Sequence, residues 1–202
     1  MYSFGLAVSL TFASEHNSFD NDPWILKLVE FTKKVLDQHR VRLIGVCYGH
    51  QIIGRALGIK VGRGDNGWET SVCSVKLSEK GKEIFKKDTL VSVSGWTPNR
   101  TSNALQSIHQ MHRDIVYGFP EGVTSLGSSP VCENQGMYSK GRLITIQGHP
   151  EFTEGIMRDV LEVRKDQGLW PIEYWRTGMG KAADHHDGVT IGAAFLSFLL
   201  DA

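Results

Sequence analysis

The sequence predicts a three-layer α/β domain, with a largely parallel sheet held between helices. Short apolar runs of strand type alternate with helix-period segments from one end of the chain to the other. One strand-to-helix joint, at residues 41–58, is marked by closely spaced glycines. A single domain is expected, because no linker, repeat or charge block separates these pieces along 202 residues.

Within Met1–Phe12, Phe4, Leu6, Val8 and Leu10 come close to alternating, enough for one strand. Asp22 and Pro23 then open a helix running to about Asp37, as N-cap and first helical residue. Its inward side is Ile25, Leu28, Val29, Thr32 and Val35. Val41 to Val46 reads as a buried strand and His50 to Leu57 as a helix, with a glycine-rich turn over Gly58–Gly67. Strands are expected at Glu69–Leu77, Thr89–Ser94, Ala104–Ile108, Ile115–Tyr117 and Thr124–Ser128, with a short helix over Glu79–Phe85. Cys132–Tyr138 leads through Ser139-Lys140-Gly141 into a strand at Leu143–Ile146. Thr153–Gly168 reads as a helix with Ile156, Val160 and Val163 inward, and Gly188–Leu200 as a last helix.

Composition narrows the function. The chain is 41% hydrophobic, and its 22 basic and 22 acidic residues cancel, which gives no electrostatic footprint for nucleic acid or a membrane surface. Cys47, Cys73 and Cys132 have no paired spacing, so neither a disulfide framework nor a zinc ribbon is expected. Residues 1–13 lack a basic leader region, and no apolar run approaches the roughly 18 residues of a membrane span. The expected compartment is the cytosol.

Cys47 carries the chemistry. Gly45 and Gly49 flank it as Gly-x-Cys-x-Gly at a strand-to-helix joint, where missing side chains permit a strained turn that exposes the sulfur. The helix behind it directs its unpaired N–H groups at the sulfur and favours the thiolate. A second strand runs into Gln147-Gly148-His149-Pro150-Glu151-Phe152. Pro150 biases His149 toward extended backbone, and residues two apart then project to one side, so that Glu151 can orient the imidazole. Nucleophile, base and orienter together are what covalent acyl transfer needs.

Gly45-Val46-Cys47-Tyr48-Gly49-His50-Gln51 together with Gly148-His149-Pro150-Glu151-Phe152 resembles the class I glutamine amidotransferase family, in motif, order and separation, over about Asn17 to Leu200. The resemblance implies a flavodoxin-like fold. It also implies attack of Cys47 on a γ-glutamyl carbonyl, release of ammonia or an amine, and hydrolysis of a thioester through His149, with no cofactor. The Tyr48 N–H is one expected oxyanion donor. Ala13 occupies the position of the other, where the family has a glycine-containing turn. Relatives of this kind also place a strand, a helix and a strand before that turn, whereas about 12 residues precede it here, so the first strand-helix-strand elements are expected to be lacking. Gln51, one helical turn beyond Cys47, and His112 are the expected substrate contacts.

Three readings stay open. The chain cleaves the side-chain amide of glutamine and passes ammonia to a separate accepting subunit; or it acts alone as a γ-glutamyl peptidase on glutathione-like compounds; or it is a truncated or non-catalytic relative with a binding role. His109 and His112 tempt a metal assignment but have no third ligand at a recognised spacing, and His185, His186 and Asp187 tempt another but directly precede a helix. Asp187 with Gly188 reads instead as a helix cap. Cys73 and Cys132 are expected as buried small hydrophobes and the five tryptophans as packing anchors.

Overall fold

In the computed structural model, residues 16–86, 105–168 and 170–200 are described in full and residues 7–12 by their backbone. The expected strand at Thr89–Ser94 lies outside these residues, as do Ala13 and Trp96.

The main sheet is built from β1 (Ala7–Phe12), β2 (Arg42–Cys47), β7 (Thr124–Ser125), β9 (Gly136–Ser139) and β10 (Leu143–Ile146), in the order β1-β2-β10-β9-β7. β1, β2 and β10 run parallel, and β9 and β7 are antiparallel. Strand alternation sorts the core into two layers. Leu43 and Leu143 face α1 (Pro23–Gln38) and α2 (Tyr48–Ala56), where Ile25, Leu36, Ile52 and Ile53 close over them. Ile44, Val46, Ile144 and Ile146 face the opposite way, toward α6 (Gly188–Leu200) and Phe85 of α3 (Glu79–Phe85). Helices on both faces of a parallel segment are what βα alternation dictates.

A second sheet of three antiparallel strands caps this arrangement: β5 (Leu105–His112), β4 (Glu69–Leu77) and β8 (Gly127–Ser128). Its Val75, Leu77 and Ile108 join the α6-side core. A small ribbon pairs β3 (Val61–Arg63) with β6 (Asp114–Val116). α4 (Glu154–Asp166) and α5 (Ile172–Lys181) form a third cluster around Phe152, Met157, Leu161, Trp170 and Ala182.

Several expectations need correction. Ile156 and Val163 are 43% and 55% exposed, because α4 turns Met157 and Leu161 to its partner instead. The expected strand at Thr124–Ser128 divides at buried Leu126, its first half joining the main sheet and its second half the three-stranded one. β3 lies within the segment read as a turn, β5 runs on to His112, and α5 had no counterpart in the sequence reading. Asp22 is the N-cap of α1, with its carbonyl accepting the Leu26 N–H, but its carboxylate faces His16 at 3.6 Å rather than the helix. Cys132 is buried as expected, whereas Cys73 is half-buried. Among the tryptophans, Trp68 and Trp170 pack edge to face, and Trp24 is 44% exposed. Among the described residues, no helix is long and apolar enough to cross a membrane.

Candidate active site

Cys47 ends β2 and caps α2, with φ 48° and ψ −103°, a left-sided conformation that side chains rarely adopt. The surrounding packing holds it there. A Cβ on Gly45 would sit 2.7 Å from Ile53 Cδ1 and 3.0 Å from the Gly49 carbonyl, so glycine is what lets the helix close down on the strand. A further contact fixes α2. His50 is fully buried with Nδ1 2.8 Å from Thr145 Oγ1 of β10, and burial holds its pKa down at about 3, so this motif histidine is a neutral structural tie.

β10 lies beside β2 and delivers the second motif. The His149 N–H donates to the His109 carbonyl at 2.8 Å, which anchors the strand end against β5. Gly148 permits that approach, since a Cβ there would meet Ile108 Cδ1 at 2.9 Å and the His109 carbonyl at 3.0 Å. The His149 ring is buried, stacks on Phe152 at 4.1 Å between centroids, and hydrogen-bonds Glu151 Oε1 through Nδ1 at 2.9 Å. Burial opposes a charge on this imidazole. The neighbouring Cys47, through charge and a hydrogen bond, and Glu151 outweigh it and push His149 up to about 10. Cys47, His149 and Glu151 are therefore brought together in one contiguous group.

The two expected substrate contacts stand differently. Gln51 is 4% exposed and already engaged on both ends of its amide: Oε1 accepts from Ser18 Oγ at 2.7 Å, and Nε2 donates to the Asp114 carbonyl at 3.0 Å and to Gln147 Oε1 at 3.2 Å. His112, also buried, lies 3.0 Å from Glu69 Oε2 through Nε2 and 3.2 Å from the Asp114 carbonyl through Nδ1. Tyr48 is the first residue of α2, the place an oxyanion donor needs.

Sequence reasoning missed three polar side chains. Gln147 donates from Nε2 to Cys47 Sγ at 3.6 Å. It sits two residues before His149 on the strand run, so period-two alternation was a signal that could have found it. Glu69 is 5% exposed, receives Gln135 Nε2 at 2.6 Å, and also lines a cavity of about 300 Å³ with Trp68, Tyr174 and Lys181. Gln135 in turn accepts from Gln110 at 2.9 Å. A lone carboxylate at the first residue of a strand, or an amide just before one, has no periodicity to betray it. Among the described residues, no group of three or more His, Cys, Asp or Glu is arranged to hold a metal ion.

A buried thiol on a strained elbow, beside an imidazole backed by a carboxylate, is a grouping that covalent acyl transfer can use. The chain belongs to the class I glutamine amidotransferase family, whose profile matches residues 18–163. It is 29% identical over 93% of its length to a glutamine amidotransferase-like protein of Schizosaccharomyces pombe, spanning 70% of that protein. It is 33% identical over 74% of its length to gamma-glutamyl peptidase 3 of Arabidopsis thaliana, of which it spans 56%. The fold is similar to the crystal structure of a glutamine amidotransferase from Thermotoga maritima, with a TM-score of 0.71 at 21% identity, covering 100% of this chain and 79% of that one.

Proposed function

We propose that the chain hydrolyses γ-glutamyl amides through a Cys47 thioester, with the side chain of glutamine as the first substrate. The observation that carries this reading is the contact of Cys47 with a buried His149 that is itself held by Glu151. Sγ attacks the γ-carbonyl carbon, and the electron pair moves to oxygen. The Tyr48 N–H, at the start of α2, receives the oxyanion, aided by the helix end. When the tetrahedral intermediate collapses, the C–N bond breaks and the His149 proton goes to the leaving nitrogen. Water then attacks the thioester, His149 takes its proton, and glutamate and the Cys47 thiolate are released.

A second reading, cleavage of γ-glutamyl peptides, is favoured by the likeness to the Arabidopsis gamma-glutamyl peptidases. The two differ only in the leaving group, ammonia or a peptide amine. In the first case the ammonia goes to a separate accepting subunit, and a cytosolic setting suits either.

Glutamate release from glutamine, glutathione and γ-glutamyl dipeptides, compared between wild type and Cys47→Ser, tests both. Cysteine-dependent release is expected, and the preferred substrate chooses between them. Equal release by the two proteins would remove Cys47 from the chemistry.

A further inference from the structure

The described residues contain a run of side-chain hydrogen bonds that ends on the sulfur. Ser18 Oγ donates to Gln51 Oε1 at 2.7 Å, Gln51 Nε2 donates to Gln147 Oε1 at 3.2 Å, and Gln147 Nε2 donates to Cys47 Sγ at 3.6 Å. All four residues are buried: Ser18 and Gln147 have no exposure, Gln51 has 4% and Cys47 9%.

An amide can be turned end for end, so the direction of such a run needs an independent anchor. The backbone supplies it. Gln51 Nε2 also lies 3.0 Å from the Asp114 carbonyl, and a carbonyl oxygen only accepts. The NH₂ end of Gln51 must therefore point that way, which turns its oxygen to the Ser18 hydroxyl. Gln147, lying between the Gln51 NH₂ and the sulfur, must then present oxygen to Gln51 and N–H to Cys47. Every donor in the series points toward the sulfur.

We propose that this oriented chain, Ser18 to Gln51 to Gln147, is a thiolate-stabilising device: Gln147 binds the Cys47 sulfur directly, and Gln51 and Ser18 are positioning residues that polarise it. The inference rests on the reading of Cys47 as the nucleophile and assigns Gln51 a second task, besides any contact with substrate. Each bond in a buried series strengthens its neighbour by withdrawing charge from the shared amide. A donor aimed at an anion in a dry site contributes more than a neutral pair. The device complements His149, which faces the same sulfur with Glu151 behind it. The other nearby titratable groups are turned elsewhere, His50 to Thr145 and His112 to Glu69. Gln147 differs from these in not titrating, so its N–H faces the sulfur at every pH.

Alkylation by iodoacetamide reads the thiolate without any substrate: the thiolate attacks the methylene carbon and iodide leaves. The full chain would be labelled from pH 5 to 9, with modification at Cys47 counted by peptide mass spectrometry to separate it from Cys73 and Cys132. In Gln147→Met, of similar length but without the donor, the rate at pH 6 is expected to fall about tenfold, with the half-maximal pH displaced upward. Ser18→Ala, remote from the sulfur, is expected to move the profile the same way by about twofold. Wild-type profiles in both variants would overturn the proposal. If Gln147→Met does not fold by circular dichroism, the Ser18→Ala profile decides alone. A wild type that alkylates at Cys47 and shifts as expected, yet releases no glutamate, would leave the chain of bonds standing and sink the hydrolase reading.

Discussion

The side chain that governs the pH behaviour of the site is His149. Its ordinary value is near 6.5, burial opposes its charge, and the opposing pull of Cys47 and Glu151 raises it to about 10. A raised folded value means that the charged imidazole stabilises the fold, in full below about pH 6.5 and progressively less as pH rises through about 10. Alkaline conditions should therefore loosen the site before they unfold the protein. Glu151 is 41% exposed, so solvent screens part of its pull, and Glu151→Gln should lower the His149 midpoint without returning it to the ordinary value. Titration of the imidazole Cε1–H by NMR measures this directly, and an unmoved midpoint would mean that Cys47 alone holds the charge. His149→Ala, which removes the proton carrier itself, should cost on the order of 10²–10⁴ in kcat/KM for glutamate release.

Among the elements, α4 shows how packing chooses between two stripes that share Val160. Leu161 is fully buried against α5 and the Trp170 cluster, whereas Val163 is 55% exposed. Leu161→Ala should lose about 2–5 kcal/mol of stability in chemical denaturation, and Val163→Thr less than about 0.5 kcal/mol. The reverse ranking would restore the stripe that the periodicity suggests. That stripe misled because two β-branched residues stand at helical spacing on the solvent side, while the real contact depends on a partner helix that meets Leu161 at a glycine. α5 buries only Gly178 among its ten residues, and a Cβ there would lie 2.7 Å from Leu161 Cδ2. Its Tyr174, Trp175 and Met179 are only partly buried against the cluster, so the one fully buried position of the helix has no side chain to read. β4, α3 and α6, by contrast, begin and end at the residues the sequence marks. The Ser78 hydroxyl caps the Gly81 N–H at one end of α3, and Lys86 turns left-handed at the other. The elbow and the His149-Glu151 pair were legible for a similar reason, since both depend on local backbone geometry. The Ser18-Gln51-Gln147 run was not, because it joins residues from three distant segments whose polarity is fixed by a fourth, at Asp114.

At the scale of the molecule, the site depends on a helix that contributes no reacting atom. α6 starts directly beneath the Pro150 peptide between His149 and Glu151: a Cβ on Gly188 would lie 2.2 Å from the Pro150 carbonyl oxygen and 2.8 Å from the His186 ring. That start is pinned across the core. The Ser107 N–H of β5 donates to Asp187 Oδ2, and the Asp187 N–H donates back to the Ser107 carbonyl, both at 2.7 Å. β5 also holds the His149 N–H through the His109 carbonyl, so one strand fixes the imidazole from one side and the helix beneath Pro150 from the other. Gly188→Ala should then act on the chemistry more than on the fold. Overpacking of this kind costs about 1–3 kcal/mol, which the α6-side core can absorb, but the Pro150 peptide has to move, and the hydrogen bond between His149 and Glu151 moves with it. A displacement near 1 Å in such a group lowers turnover by about a hundredfold. Glutamate release and thermal melting of the same sample separate the effects. A large fall in kcat/KM with a small fall in Tm would show α6 acting as the floor of the site, whereas proportionate losses in both would make it ordinary core.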